Sequence, residues 1–238
     1  MNPSIKIFPS TEAIAGEIAD MLFELAVTAD NGPIHIALSG GNTPKTIFNF
    51  LNEKYGSKLS NSRFHFWWGD ERCVPPTHDE SNFKWAYHCW LQPIGVAESA
   101  IHRIKGENNP EDEANRYADE MKNFVGIESG FPCFDLIMLG LGDDGHTASI
   151  FPSNSELLTS GRWCEVASHP LSGQKRITFT GKVLNNAKHI VFISTGESKA
   201  TMVRNVAIDS DPKFPASHIQ PQYGMVTWLI DEDASRML

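Results

Sequence analysis

Apolar residues along this chain fall into two alternating patterns. Short continuous runs, IHIALSG (34–40), RFHFWWG (63–69), FDLIMLG (134–140), HIVFIST (189–195) and MVTWLI (225–230), have the composition of strands buried on both faces. Around them, residues 10–29, 44–55, 80–90, 110–124 and 196–206 space their apolar positions as amphipathic helices do. Thr43 before Pro44, and Asn109 before Pro110, each offer a capping side chain followed by proline at the first helical position, where its missing N–H costs nothing. Strands alternating with helices mark a parallel sheet covered on both faces. The pattern therefore predicts an α/β chain, 1–238 as a single domain, with three α/β/α layers and a mostly parallel central sheet. The polar stretches KGENNPED (105–112) and DSDPKFP (209–215) read as surface connections, too short for interdomain linkers.

Composition narrows the partners. With 238 residues, 41% of them hydrophobic and 10% aromatic, the chain can bury a sizeable core. It has no unbroken apolar stretch of membrane-spanning length, and MNPSIKIFPSTEA lacks the basic-then-apolar order of a secretory signal. A cytoplasmic protein without a membrane partner is expected. Cys73, Cys89, Cys133 and Cys164 are scattered, which predicts reduced, mostly buried thiols rather than disulfides or a thiolate zinc site. The nine histidines are dispersed and no HExxH occurs, so no catalytic metal is expected. A formal net charge of −9 argues against nucleic acid as a partner. A phosphate ligand would need cations and backbone donors gathered locally.

Ligands of such sheets bind beyond the carboxyl ends of the strands, and four of those places carry unusual chemistry. In LSGGNTPK (38–45), Gly40 and Gly41 let the backbone approach a ligand, while Ser39, Asn42, Thr43 and the following helix start offer hydrogen-bond donors to an anion. The Walker ending is absent, so a nucleoside triphosphate is not indicated. In WWGDERCVP (67–75), Asp70, Glu71 and Arg72 follow an apolar strand, where charge is costly unless paired or used. Arg72 could clamp an anion or stabilise an oxyanion, with Asp70 orienting it; an ordinary surface ion-pair cluster is the alternative.

LGLGDDGHTASIFP (139–152) contains G-x-G-x-x-G at Gly140, Gly142 and Gly145, so a dinucleotide loop competes for this segment. The motif lies deep in the chain, and Asp143 and Asp144 would sit where a pyrophosphate should lie. The better reading is a tight turn that presents His146 at the start of a helix, with a carboxylate beside it to hold one imidazole tautomer. Finally, Lys175-Arg176 and Lys199 could supply the positive field an acidic chain otherwise lacks.

These four segments, in this order from about Leu38 to Trp228 and ending in FPASHIQPQYGMVTWLID, resemble the 6-phosphogluconolactonase family. That family sits in a larger group with glucosamine-6-phosphate deaminase and ribose-5-phosphate isomerase, whose fold the resemblance implies. The deaminase would be expected to read Met-Asp-Glu-Tyr where this chain has Gly-Asp-Glu-Arg, and Ala-Phe-Asn-Glu-Pro where this chain has Thr147 to Pro152. Both differences favour the lactonase. Many members carry a proline-rich stretch where this chain has HPLSGQ before Lys175.

The resemblance implies hydrolysis of 6-phospho-D-glucono-1,5-lactone in the oxidative pentose phosphate pathway, without cofactor or metal. His146, Asp144 and Arg72 are the expected catalytic residues. Ser39, Gly40, Gly41, Asn42, Thr43, Asp70, Arg176 and Lys199 are the expected substrate-binding residues. The partner is a small phosphosugar lactone, and the chain is expected to act as a monomer. A phosphosugar isomerase or deaminase using Asp70 as base, a noncatalytic sugar-phosphate sensor and a dinucleotide oxidoreductase are the competing readings.

Overall fold

Each of the five apolar runs is a strand of one parallel sheet in the computed structural model, which describes residues 3–29 and 32–238. They are β2 (Ile34–Leu38), β3 (Phe64–Trp68), β7 (Leu136–Gly140), β10 (His189–Ser194) and β11 (Met225–Asp231). A sixth strand, β1 (Ser4–Phe8), adds an edge, and the sheet order is β1-β11-β10-β7-β2-β3 with every pairing parallel. The reading of the apolar runs overlooked β1. It is short, and its Ser4, Lys6 and Ile7 are exposed as an edge strand allows, so it carries no continuous apolar run.

The helices α1 (Thr11–Thr28), α2 (Asn42–Leu59), α3 (Asn82–Ala86) and α4 (Pro110–Phe124) fall where the periodicity placed them. The helical turn α3 continues as a π-helical turn over Tyr87–Leu91. The stretch around 196–206 is a 3₁₀ turn, then α6 (Ala200–Val203), then a π-helical turn to Ile208. A further helical turn, α5 (Gly181–Leu184), precedes β10. Asn109 caps α4 as expected, its side chain accepting from the N–H groups of Glu111 and Asp112. Thr43 does not cap α2: the helix begins at Asn42, after Gly41 at φ +114°, and the Thr43 hydroxyl instead meets that of Thr195 at 2.8 Å. That bond ties the first turn of α2 to the loop after β10.

Two smaller sheets complete the chain. A hairpin joins β5 (Ile127–Glu128) and β6 (Phe131–Pro132), and an antiparallel sheet runs β4 (Asp70–Arg72), β9 (Lys175–Phe179), β8 (Cys164–Ser168). The second of these is tied to the main sheet by Phe179 N–H donating to Gly69 O at 2.8 Å, and its register sets Arg72 opposite Arg176. Trp67, Trp90, Phe134, Phe179, Phe192 and Trp228 are buried in the core. Rings of this size each contribute about 2–3 kcal/mol when buried, so the scaffold under the loops is rigid. Among the described residues no helix is long and apolar enough to cross a membrane.

Candidate active site

The chain passes from β2 to β3 on one side, and later lays β7, β10 and β11 on the other side of β2. Loops leaving neighbouring strands at such a reversal diverge, and the gap between them is where α/β sheets hold ligands. A cleft of about 280 Å³ opens there. Ser39 and Gly40 line it from the end of β2, Asp70 and Arg72 from β4, and Gly140 to Asp143 from the end of β7. Asn82, His146, Ala148, Arg176 and Lys199 close it.

His146 stands on a tight turn rather than at a helix start, since the next helical turn begins only at Pro152. Gly142 N–H donates to His146 O at 2.9 Å, the Thr147 hydroxyl donates to Gly140 O at 2.9 Å, and Thr147 bridges to Ile150. Ala148 is held at φ +48°, a left-handed conformation that a non-glycine residue seldom adopts. Without a helix behind them, the three glycines lack the N-terminal dipole that a pyrophosphate loop uses. Gly142 instead makes room for the imidazole. A Cβ there would lie 2.1 Å from His146 Nδ1, so only glycine lets the ring fold back over the turn.

The Asp144 carboxylate receives both the backbone N–H of His146, at 3.1 Å, and its ring Nδ1, at 2.5 Å. Partial burial opposes ionisation of Asp144, but His146 outweighs it and holds the carboxyl below its ordinary range. A carboxylate on Nδ1 places the proton there and leaves the Nε2 lone pair as the basic one, in a ring that lines the cleft.

Three cations line the cleft with this imidazole. Arg72 and Arg176, paired across β4 and β9, each have a buried Nε–H with no hydrogen-bond partner among the described residues. Arg72 spends one terminal nitrogen on Glu80 O at 2.7 Å. Burial lowers the Arg176 guanidinium below its ordinary value, with the Arg72 charge adding to this and Asp70 opposing it. On each guanidinium a buried N–H without a partner is a donor that an anion would complete. Lys199, in the turn after β10, donates to Leu141 O at 2.8 Å and pairs with Asp143.

Asp70 does not orient Arg72 through a hydrogen bond. Its carboxylate accepts from Ser149 Oγ at 2.6 Å and Asn82 Nδ2 at 3.4 Å. Glu71 is turned away from the cleft: it accepts from the backbone of Arg72, Asn82 and Phe83 and from the Ser81 hydroxyl, so it anchors the start of α3. Burial pushes its carboxyl up to about 7, against the pull of those four donors.

Of the residues expected from sequence, His146, Arg72, Ser39, Gly40, Asp70, Arg176 and Lys199 line the cleft. Asp144 sits on His146 Nδ1 without lining the cleft, and Gly41, Asn42 and Thr43 continue from Gly40 into α2, also without lining it. The sequence reading missed Asn82 and Ser149. Asn82 belongs to an unremarkable helix start, and only the fold sets it so close to Gly40 that a Cβ there would lie 1.7 Å from its Oδ1. Among the described residues no three His, Cys, Asp or Glu side chains converge as a metal-binding group.

Known proteins share this arrangement of segments. The sequence profile of glucosamine-6-phosphate isomerases/6-phosphogluconolactonase matches residues 9–228. The 6-phosphogluconolactonase of Treponema pallidum is 40% identical over 209 residues, 88% of this chain and 86% of its own. Among solved structures, the devB protein is 41% identical with a TM-score of 0.91 over 98% of each chain. The 6-phosphogluconolactonase of Leishmania guyanensis is 28% identical with a TM-score of 0.87, over 99% of this chain and 98% of its own. The chain belongs to the family of glucosamine-6-phosphate isomerases and 6-phosphogluconolactonases.

Proposed function

We propose that the chain hydrolyses 6-phospho-D-glucono-1,5-lactone to 6-phosphogluconate, with His146 as general base. The observation that carries this reading is the Asp144–His146 pair, which frees Nε2 toward a cleft bordered by Arg72, Arg176 and Lys199. Nε2 removes a proton from a water whose oxygen attacks the lactone carbonyl carbon. The tetrahedral intermediate then breaks its bond to the ring oxygen, which takes the proton back from the imidazolium and leaves as the C5 hydroxyl. A lactone is an activated ester, so no covalent nucleophile is required.

Arg72 is the donor assigned to the developing oxyanion. The Gly145 N–H is already committed to Gly142 O at 3.1 Å, which removes it from that role. Arg176, Lys199 and the Ser39–Gly40 end of the β2 loop hold the phosphate, a remote anchor that positions the reacting carbon. Several relatives of the chain bear the lactonase name, which supports the substrate.

The test is acid release from freshly generated 6-phosphogluconolactone above the spontaneous rate. His146→Ala should lower kcat on the order of a hundredfold or more while the protein stays folded, and near-wild-type turnover would remove His146 from the mechanism. Asp70, which also lines the cleft, is the base an isomerase or deaminase would use. Conversion of glucosamine 6-phosphate, abolished in Asp70→Asn, would establish that reading instead.

A further inference from the structure

A second imidazole packs on the same phenylalanine ring as His146, with the opposite hydrogen-bonding polarity. It belongs to His169, the first residue of the connection between β8 and β9. This connection closes on itself: His169 N–H donates to Gln174 O, and Gly173 N–H to His169 O, both at 2.9 Å. The backbone N–H groups of Leu171 and Ser172 donate to His169 Nδ1 at 3.3 and 3.2 Å. Two donors on Nδ1 require its lone pair, so the neutral ring carries its proton on Nε2. Among the described residues none accepts from that nitrogen.

Phe151, fully buried, joins this ring to the site. Its centroid lies 5.2 Å from that of His169, 4.6 Å from that of His146 and 5.5 Å from the guanidinium carbon of Arg176. Partial burial and then the Arg176 charge hold the His169 imidazole below its ordinary value, which favours the neutral ring. A neutral donor suits the position, because the Arg176 and Arg72 guanidiniums already supply charge and an imidazolium added beside them would be repelled.

We propose that His169 Nε2–H donates to a phosphate oxygen of the bound phosphosugar, closing over an anion seated against Arg176 and Lys199. This rests on the lactone-hydrolase reading above. His146 then acts as an acceptor on one side of Phe151 while His169 acts as a donor on another.

Asparagine and glutamine each reproduce one half of this residue. Asparagine Oδ1 replaces Nδ1 and can accept from the same two backbone N–H groups, whereas the glutamine amide nitrogen replaces Nε2 but leaves the turn unclasped. Steady-state kinetics on 6-phosphogluconolactone should show KM raised roughly tenfold in His169→Asn, with kcat within about twofold, and KM near wild type in His169→Gln. Unphosphorylated glucono-1,5-lactone should show no such difference. An unchanged KM in His169→Asn, an equal rise in both variants, or a rise in His169→Gln alone would overturn the proposal and leave His169 a clasp of the hairpin. A KM rise of the same size on both lactones would overturn phosphate as its partner. If the wild type releases no acid from the phosphorylated lactone, the lactonase reading itself fails and this contact fails with it.

Discussion

An imidazole is useful as a base only when its two nitrogens are told apart and the ring is held, and at His146 three neighbours divide these tasks. Asp144 takes Nδ1, Gly142 leaves space for the ring, and Phe151 packs against it with centroids 4.6 Å apart. Asp144→Asn keeps the shape but presents an amide that can donate to Nδ1, stabilising the wrong tautomer. It should lower kcat at least about tenfold with little change in KM, as steady-state kinetics will show; an unchanged kcat would mean that the turn alone orients the ring. Lys199 differs in kind, since its ammonium is held by Leu141 O and Asp143 rather than by the imidazole. Lys199→Ala should mainly raise KM, and an unaltered KM would argue against its contact with phosphate.

At the scale of elements, site residues are placed by structures that have their own reasons to form. The cap and proline that start α4 direct Tyr117 into the core, where its hydroxyl accepts from Trp68 N–H at 2.9 Å and donates to His102 O at 3.1 Å. Trp68 ends the strand that leads directly into β4 with Asp70 and Arg72. Asn109→Ala removes the side chain that serves two helix-start N–H groups, at a cost of about 1 kcal/mol. The melting temperature should fall by about 2–4 °C with kcat unchanged; a thermal melt showing no shift would mean Pro110 suffices to start the helix. The antiparallel sheet β4-β9-β8 is the element that brings two guanidiniums together, and periodicity gave no hint of it. Its strands are short, and Arg72 and Arg176 stand more than 100 positions apart, joined only through cross-strand register.

Across the whole molecule, stability and pH are linked through buried groups that do not line the cleft. His35 on β2 is buried; burial first, then the nearby His65, lowers its imidazole to about 4, while its Nδ1 accepts from Trp67 Nε1 at 3.1 Å. The folded chain therefore binds fewer protons than the unfolded chain between about pH 6.5 and 4, and stability is lost as pH falls through that window, by up to about 3 kcal/mol. Glu71 acts in the opposite sense. Its raised carboxyl contributes stability that is fully present below the ordinary carboxylate range and lost as pH rises through about 7. His35→Gln, which keeps an acceptor for Trp67, should lose less stability than the wild type between pH 7 and pH 4.5, measured by urea unfolding; parallel losses would show that His35 takes up its proton within the fold.

The sequence by itself determined five of the six strands of the main sheet, the helices between them and the loops that line the cleft, because burial on both faces leaves continuous apolar runs and because glycine, charge and histidine after such runs are costly without a use. It named His146, Asp144, Arg72, Arg176 and Lys199 from those loops together with the family resemblance. Only the tertiary structure decided that the turn at Gly145 leads to no helix, that Asp70 is held by Ser149 and Asn82 rather than by Arg72, and that His169 shares Phe151 with His146. Those facts depend on strand order and cross-strand register, which bring distant residues within a few ångströms and leave no periodic trace along the chain.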